Sequence, residues 1–319
     1  MKTLEDFTDF YNTTLLADLN TLEQERRQIA FKLTCVIVAI LCIVGVCLLM
    51  FKANSRVAAP FLFIPIILCI ITGVVVCHFL TKGYVARFKS LVIQKIVRFI
   101  DENLNYDADE YIDNTTFMLS KIFTTKPNRY KGDDLVWGKT GATKIKFSEI
   151  KAEHESGTGK NRRRYTIFKG LFFIGDFNKH FTCETVVLPD TAEKLFGHFG
   201  QKLQSINIFR GQLIKLEDPE FESHFVVYGD DQIQARYILS TSLMERIIEF
   251  KKKSGRKIYL SFVGSKVFVA VSYTKSLFEP RLFRTLLDFE PVREYFEDLQ
   301  LAIGIVDDLN LNTRIWSKQ

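Results

Sequence analysis

Two apolar runs dominate the pattern of the chain. Leu33–Phe51 (LTCVIVAILCIVGVCLLMF) carries no charge, and Phe61–Leu80 (FLFIPIILCIITGVVVCHFL) contains no Asp, Glu, Lys or Arg and only His78 at its end. As helices, each is roughly 28–30 Å long, which is the thickness of bilayer hydrocarbon. Inside that layer every backbone amide must be satisfied within its own segment, so both runs are expected to be transmembrane helices. Buried core helices of this length would keep a polar face. A long polar stretch precedes the first run and no small-residue cleavage motif follows it, so a cleaved signal peptide is not expected.

Around the runs the pattern becomes amphipathic. Residues 1–32 predict a cytoplasmic helix: Thr3 and Asp6 form a capping-box start, and Phe7, Phe10, Leu15, Leu19, Leu22 and Ile29 recur at helical spacing. Its apolar stripe covers either its own chain or another one. Past the second span, Val85, Phe88, Val92, Ile96 and Phe99 continue one stripe, with Lys82, Arg87, Lys89, Lys95 and Arg98 between them. This predicts a stalk over 81–129 that can pair antiparallel with the N-terminal helix. Asp101 to Asp113 is acidic and is expected to turn the corner, with a short helix through Ile112, Phe117 and Phe123.

From Tyr130 the period changes to two. Lys144–Ile150, Thr166–Phe177 and Phe181–Leu188 read as strands. The last two are expected to form a hairpin around Asn178-Lys179-His180, and Glu155–Arg164 is a polar hairpin tip. Further on, Leu213–Leu216 and Phe225–Tyr228 read as strands, with a helical turn opened by Asp218-Pro219 between them. Ser240–Lys253 reads as a helix closed by Gly255, Lys257–Val263 and Val267–Tyr273 as a hairpin around Gly264-Ser265, and Pro291–Leu309 as an amphipathic helix. The expected fold class is α+β: a two-helix transmembrane hairpin with flanking amphipathic helices, then antiparallel β-hairpins and helices. The expected divisions are 1–32, span 33–51, external loop 52–60, span 61–80, stalk 81–129 and a cytoplasmic domain over 130–319.

Charge sets the topology. Arg26, Arg27 and Lys32 precede the first span and Lys82, Arg87, Lys89, Lys95 and Arg98 follow the second, against Lys52 and Arg56 in the loop. The positive-inside rule then puts both termini in the cytoplasm of a multi-pass protein. Much of the net charge of +6 sits beside the spans, which argues against a nucleic-acid partner. Of six cysteines, only Cys183 lies outside the spans, so no disulfide-linked partner is expected and the compartment is reducing. The 29 phenylalanines favour a strand-rich aromatic core.

Catalytic patterns are missing from the sequence. Gly157-Thr158-Gly159-Lys160 is no phosphate loop, because His154 stands where the first glycine belongs and Asn161 where Ser or Thr belongs. His154-Glu155 lacks the second histidine of a zinc site, and the spacing of His180 and Cys183 puts them on opposite strand faces. No nucleophile elbow occurs. No catalytic, cofactor or metal residue is therefore assigned. Lys160, Arg162, Arg163 and Arg164 are the candidate contact for anionic lipid or a partner. Lys169, amid apolar strand residues, is either outward-facing or part of a polar surface site.

Phe168-Lys169-Gly170-Leu171-Phe172, Asp176-Phe177-Asn178-Lys179, Leu216–Phe221, Phe225–Tyr228, Gln234–Leu239 and Leu277–Pro280 occur in that order. Together they resemble the bacterial family DUF3137, over roughly Lys82 to the C-terminal helix. The resemblance implies two membrane spans followed by a cytoplasmic domain, a bacterial source and a loose gene-neighbourhood association with LemA-like membrane proteins. It implies no activity. The expected function is a non-enzymatic, membrane-anchored cytoplasmic adaptor of the bacterial inner membrane. A tethered enzyme with a dispersed site and an anionic-lipid sensor are the alternatives. The expected partners are the lipid bilayer and an unidentified membrane or cytoplasmic protein.

Overall fold

The structure is a computed structural model that describes residues 2–53, 59–157, 159–177, 182–190 and 211–312. The chain forms two compact units, Lys2–Lys95 with Phe278–Glu294 and Ile96–Leu277 with Tyr295–Gln319.

The first unit is a helical hairpin. Helix α1 (Leu4–Phe10) starts at the expected capping box: Asp6 N–H donates to Thr3 Oγ1 at 3.1 Å and Thr3 N–H to Asp6 Oδ2 at 2.8 Å. A π-turn over Tyr11–Leu15 leads into α2 (Leu16–Ala53), so the amphipathic helix and the first apolar run are continuous. Helix α3 (Ala59–Phe88) passes through a second π-turn, Lys89–Ile93, into α4 (Gln94–Ile100). The antiparallel register is fixed by Asp18 with Lys95 at 2.5 Å and Glu25 with Arg87 at 2.8 Å. Higher up, a Cβ on Gly73 would stand 2.7 Å from Ile40 Cδ1. These pairs put Leu33 opposite Leu80, so the inner ends of the apolar runs lie level. By length and composition both helices could cross a membrane, and almost none of either apolar stretch is buried.

Below the apolar runs, Phe7, Leu15, Leu19, Leu22, Phe88 and Val92 are buried. The N-terminal helix thus covers its own chain. Part of the cover is a strap, Phe278–Glu294, that includes the first turns of α9 (Phe289–Asp308). Tyr11 donates its hydroxyl to Leu287 O at 2.8 Å, Arg26 Nη1 donates to Leu282 O at 2.7 Å, and Leu286 N–H donates to Glu23 Oε2 at 3.0 Å. Lys89, buried, pairs with Glu279 at 3.0 Å.

Among the described residues, the second unit is built on a nine-stranded antiparallel sheet in the order β1-β2-β3-β4-β9-β8-β5-β7-β6. Its strands are β1 (Leu104–Asp107), β2 (Arg129–Thr140), β3 (Thr143–Ser156), β4 (Arg163–Asp176), β5 (Thr185–Pro189), β6 (Gln212–Ile214), β7 (Phe225–Gly229), β8 (Ile258–Val263) and β9 (Lys266–Ser272). The α+β class read from the sequence is the one observed.

One face of the sheet packs on α5 (Asn114–Leu119), whose Phe117 ring lies 5.1 Å from those of Phe123 and Phe172. There Ser261 Oγ donates to Ser120 O at 2.5 Å. The other face holds Phe147 and Phe173 and meets the later turns of α9, where Tyr273 donates its hydroxyl to Asp298 at 3.1 Å. Helix α6 (Pro219–His224) stands between β6 and β7 in the chain, and α7 (Gln232–Ile238) and α8 (Thr241–Ser254) follow β7, with Gly255 closing α8 at φ +61°.

The structure corrects the reading of Thr166–Phe177 and Phe181–Leu188 as a hairpin. Strand β4 pairs with β3 and β9, and β5 pairs with β7 and β8. All of β5 is buried, as suits a strand held in the interior of the sheet between two neighbours. Strands β4 and β5, successive in sequence, are therefore separated in the sheet by β9 and β8. Residues Thr182 and Cys183 form a bend before β5, while Asn178–Phe181 lie outside the described residues.

Candidate functional site

The expected basic tip joins β3 to β4. Gly159–Asn161 forms a single 3-10 turn that closes this hairpin, so the Gly-Thr-Gly-Lys sequence sits at a strand–strand turn. Arg162, Arg163 and Arg164 are exposed, while the Lys160 side chain and Thr158 lie outside the described residues. Three guanidinium groups converge on one carboxylate: Glu155 meets Arg162 at 2.6 Å, Arg164 at 3.0 Å and Arg129 at 3.4 Å. Desolvation would raise the Glu155 carboxyl, but the Arg164 hydrogen bond and the charges of Arg162, Arg164 and Arg129 hold it below its ordinary range. The structure brings Arg162 and Arg164 together through Glu155 and leaves an excess of positive charge at the tip. His154 lies beside it with Nδ1 3.1 Å from Lys126 O, its ring against Tyr165.

A second arrangement lies where the apolar stripe of β4 gives out. The strand registers set Lys131 opposite Lys151 and Lys151 opposite Lys169, placing three ammonium groups in a row across β2, β3 and β4. The adjacent row holds Asp133 opposite Glu149. With Gly132 and Ser276 these residues line a cleft of about 340 Å³. Lys169 Nζ donates to Thr274 O at 3.0 Å, Lys151 pairs with Glu153 at 2.8 Å, and the buried Glu149 accepts from Leu277 N–H at 2.7 Å. Lys169 is therefore part of a polar surface site, one of the two readings its sequence context left open. Sequence reasoning missed the other members because Lys131, Lys151 and Lys169 become neighbours only through register. The lining offers ammonium donors and carboxylate acceptors and holds no Cys or His. It is an arrangement for recognising charge.

Cys183 is half-buried, and its thiol donates to Gln234 Oε1 at 2.9 Å. Burial, reinforced by Asp231 and Asp230, pushes the thiol up, away from the readily ionised state of a nucleophile. On the α9 face, Arg256 stacks 3.8 Å over the Tyr273 ring and approaches Asp298 at 3.7 Å. Burial, then the Asp298 charge, raise the Tyr273 hydroxyl well above its usual range. That cluster fastens α9 to the sheet.

Residues 166–311 match the model of the family described as protein of unknown function DUF3137. That segment, under half of the chain, is similar to DUF3137. It contains every motif on which the resemblance rested and begins three residues into β4, so that 82–165 lie outside the match. Of the lysine row, only Lys169 falls within the matched residues. No curated protein matches the chain. A crystal structure of the mycobacterial trehalose monomycolate transport factor A, TtfA, aligns over 65% of this chain and 92% of its own, with 8% identity and a TM-score of 0.29. Agreement that loose carries no argument about fold or role.

Proposed function

We propose that this protein is a membrane-anchored interaction module that crosses the bacterial inner membrane twice, keeps both termini in the cytoplasm and acts as a non-enzymatic adaptor. The observation that carries the membrane reading is the level placement of Leu33 and Leu80 in one antiparallel hairpin. Two exposed apolar runs of matched height fit a single hydrocarbon layer. The excess of cations on the terminal sides supports the orientation. The adaptor reading draws on the charge-lined cleft, which offers a polar partner donors and acceptors on a rigid sheet. Its partner is a membrane or cytoplasmic protein, with LemA-like proteins the first to examine.

Cross-linking in native membranes, with photoreactive groups at Lys131 and Lys169, tests the adaptor. A defined protein partner whose capture is lost on reversing Lys169 supports it. Turnover of a substrate by the purified full chain, abolished by changing a cleft residue, would replace it with the tethered-enzyme alternative. The three-arginine tip favours a second reading, contact with anionic lipid. Neutralising Arg162, Arg163 and Arg164 then weakens salt-sensitive vesicle binding, and unchanged binding rejects it.

A further inference from the structure

We infer that the strap carries a membrane-interface foot, the turn Arg281–Arg284, whose Phe283 enters the headgroup layer while Arg284 meets anionic headgroups. This rests on the membrane reading above. Arg284 N–H donates to Arg281 O at 3.3 Å, which closes a turn with Leu282 and Phe283 at its apex. Phe283 is 69% exposed, an unusual position for a phenylalanine held in an ordered turn. The apex is tied to the helical hairpin by the Arg26–Leu282 O bond.

Its height follows from the helix. Arg26 precedes Leu33 by two turns, so the foot is fastened about 10 Å below the first apolar residue. The strap climbs toward that level, from Phe289 against Phe7 and Tyr11, through Leu287 at Tyr11 and Leu286 at Glu23, to Leu282 at Arg26. It then descends to Glu279 at Lys89. The apex is therefore the part of the strap nearest the apolar runs. Headgroup and interfacial layers add roughly 5–8 Å to each side of the hydrocarbon, within reach of a side chain pointing up from that turn.

Charge agrees with this placement. No Asp or Glu occurs in 26–32, 81–87 or 281–284, whereas Arg27, Lys32, Lys82 and Arg284 are exposed there. Cations at the surface of an anionic leaflet strengthen attachment to it. An exposed aromatic ring beside them is the composition of an interfacial anchor. The foot would fix the strap against the bilayer and so set the height of the helical hairpin.

The test uses the full-length protein reconstituted in vesicles, with Trp137→Phe and Trp316→Phe removing the native tryptophans. Phe283→Trp is compared with Leu41→Trp, inside the first span, using lipids brominated either near the headgroup end of the chain or near its methyl end. The foot predicts that emission from the Phe283→Trp variant falls at least about two-fold with shallow bromines and less with deep ones. Quenching should be stronger in vesicles containing phosphatidylglycerol than in pure phosphatidylcholine. Quenching at position 41 without any at position 283 overturns the foot and leaves the membrane reading standing. Absence of quenching at both positions overturns the membrane reading, and the foot with it.

Discussion

Glu23 holds the strap to the helical hairpin, and its charge should decide whether the strap stays closed. The side chain is buried and accepts from Arg26 Nε at 2.8 Å and Nη2 at 2.7 Å, from Arg27 Nε at 2.9 Å and from Leu286 N–H at 3.0 Å. The Arg26 hydrogen bonds, assisted by Leu286 N–H and Arg27 and opposed by desolvation, hold its carboxyl at about 2 against an ordinary 4.5. A displacement of that size corresponds to about 3 kcal/mol of stabilisation at neutral pH. Because the folded value is the lower one, this stabilisation is complete above about pH 4.5 and is lost as pH falls toward 2. Glu23→Gln keeps the shape and removes the charge, leaving Arg26 half-satisfied in a buried setting. Hydrogen exchange of the peptide containing Leu286, in the reconstituted full chain, should show protection reduced about 100-fold at pH 7. The gap between wild type and variant should narrow as both are taken to pH 3 and close only as pH falls toward 2. A gap below about three-fold at pH 7, or one that persists unchanged in acid, refutes the claim that the ionised carboxylate is the latch.

Two other outcomes are expected in the sheet unit. Phe117→Ala empties the centre of the α5-side core, where Phe117 touches Phe123, Phe168 and Phe172, and should cost about 3–5 kcal/mol in thermal or denaturant unfolding. Asp231→Asn preserves the cap that Asp231 supplies to Ile233 and Gln234 N–H while removing one charge that holds the Cys183 thiol up. Iodoacetamide should therefore alkylate Cys183 faster in this variant at pH 8, with melting unchanged.

Local signals in the sequence identified elements well and pairings poorly. Thr3 with Asp6, Asp218 before Pro219 and Gly255 after three lysines each mark a helix end through bonds made within a few residues, and all three are found where expected. Helix α7 carried the same kind of signal, Asp231 followed by Gln234, yet its short apolar content gave no stripe to notice. Strand β1 hid in an acidic stretch because four residues are too few to show alternation. The β4–β5 misreading came from proximity in sequence, which says which strands can pair cheaply. It does not say which edges remain free once β3 and β9 flank β4. The lysine row and the strap latch were illegible for the same reason. Lys131 and Lys169, like Glu23 and Leu286, are far apart in sequence and meet only through register and packing.

The lysine row bears on why the cleft is built as it is. Residues directly opposite on antiparallel strands have Cβ atoms about 4.5–5.5 Å apart, and like charges there are destabilising by about 0.2–1 kcal/mol. Neighbours two along one strand are about 7 Å apart, so the attraction of Lys131 to Asp133 is weaker than its repulsion from Lys151. Folding alone would favour alternation across the strands, yet this chain keeps like charges within each row. Lys131 is exposed and has no ion-pair or hydrogen-bond partner among the described residues. Lys131→Glu should therefore stabilise the sheet unit by about 0.2–1 kcal/mol at low ionic strength, with the gain fading in about 1 M salt, where screening extends to roughly 3 Å. Unfolding curves at two salt concentrations measure both quantities. If the reversal destabilises the protein by more than about 1 kcal/mol at low salt, Lys131 serves folding, and the case for a row kept for a partner fails. If it stabilises while weakening capture at the cleft, stability and recognition oppose each other at this position, as expected where a charged surface is kept for what it binds.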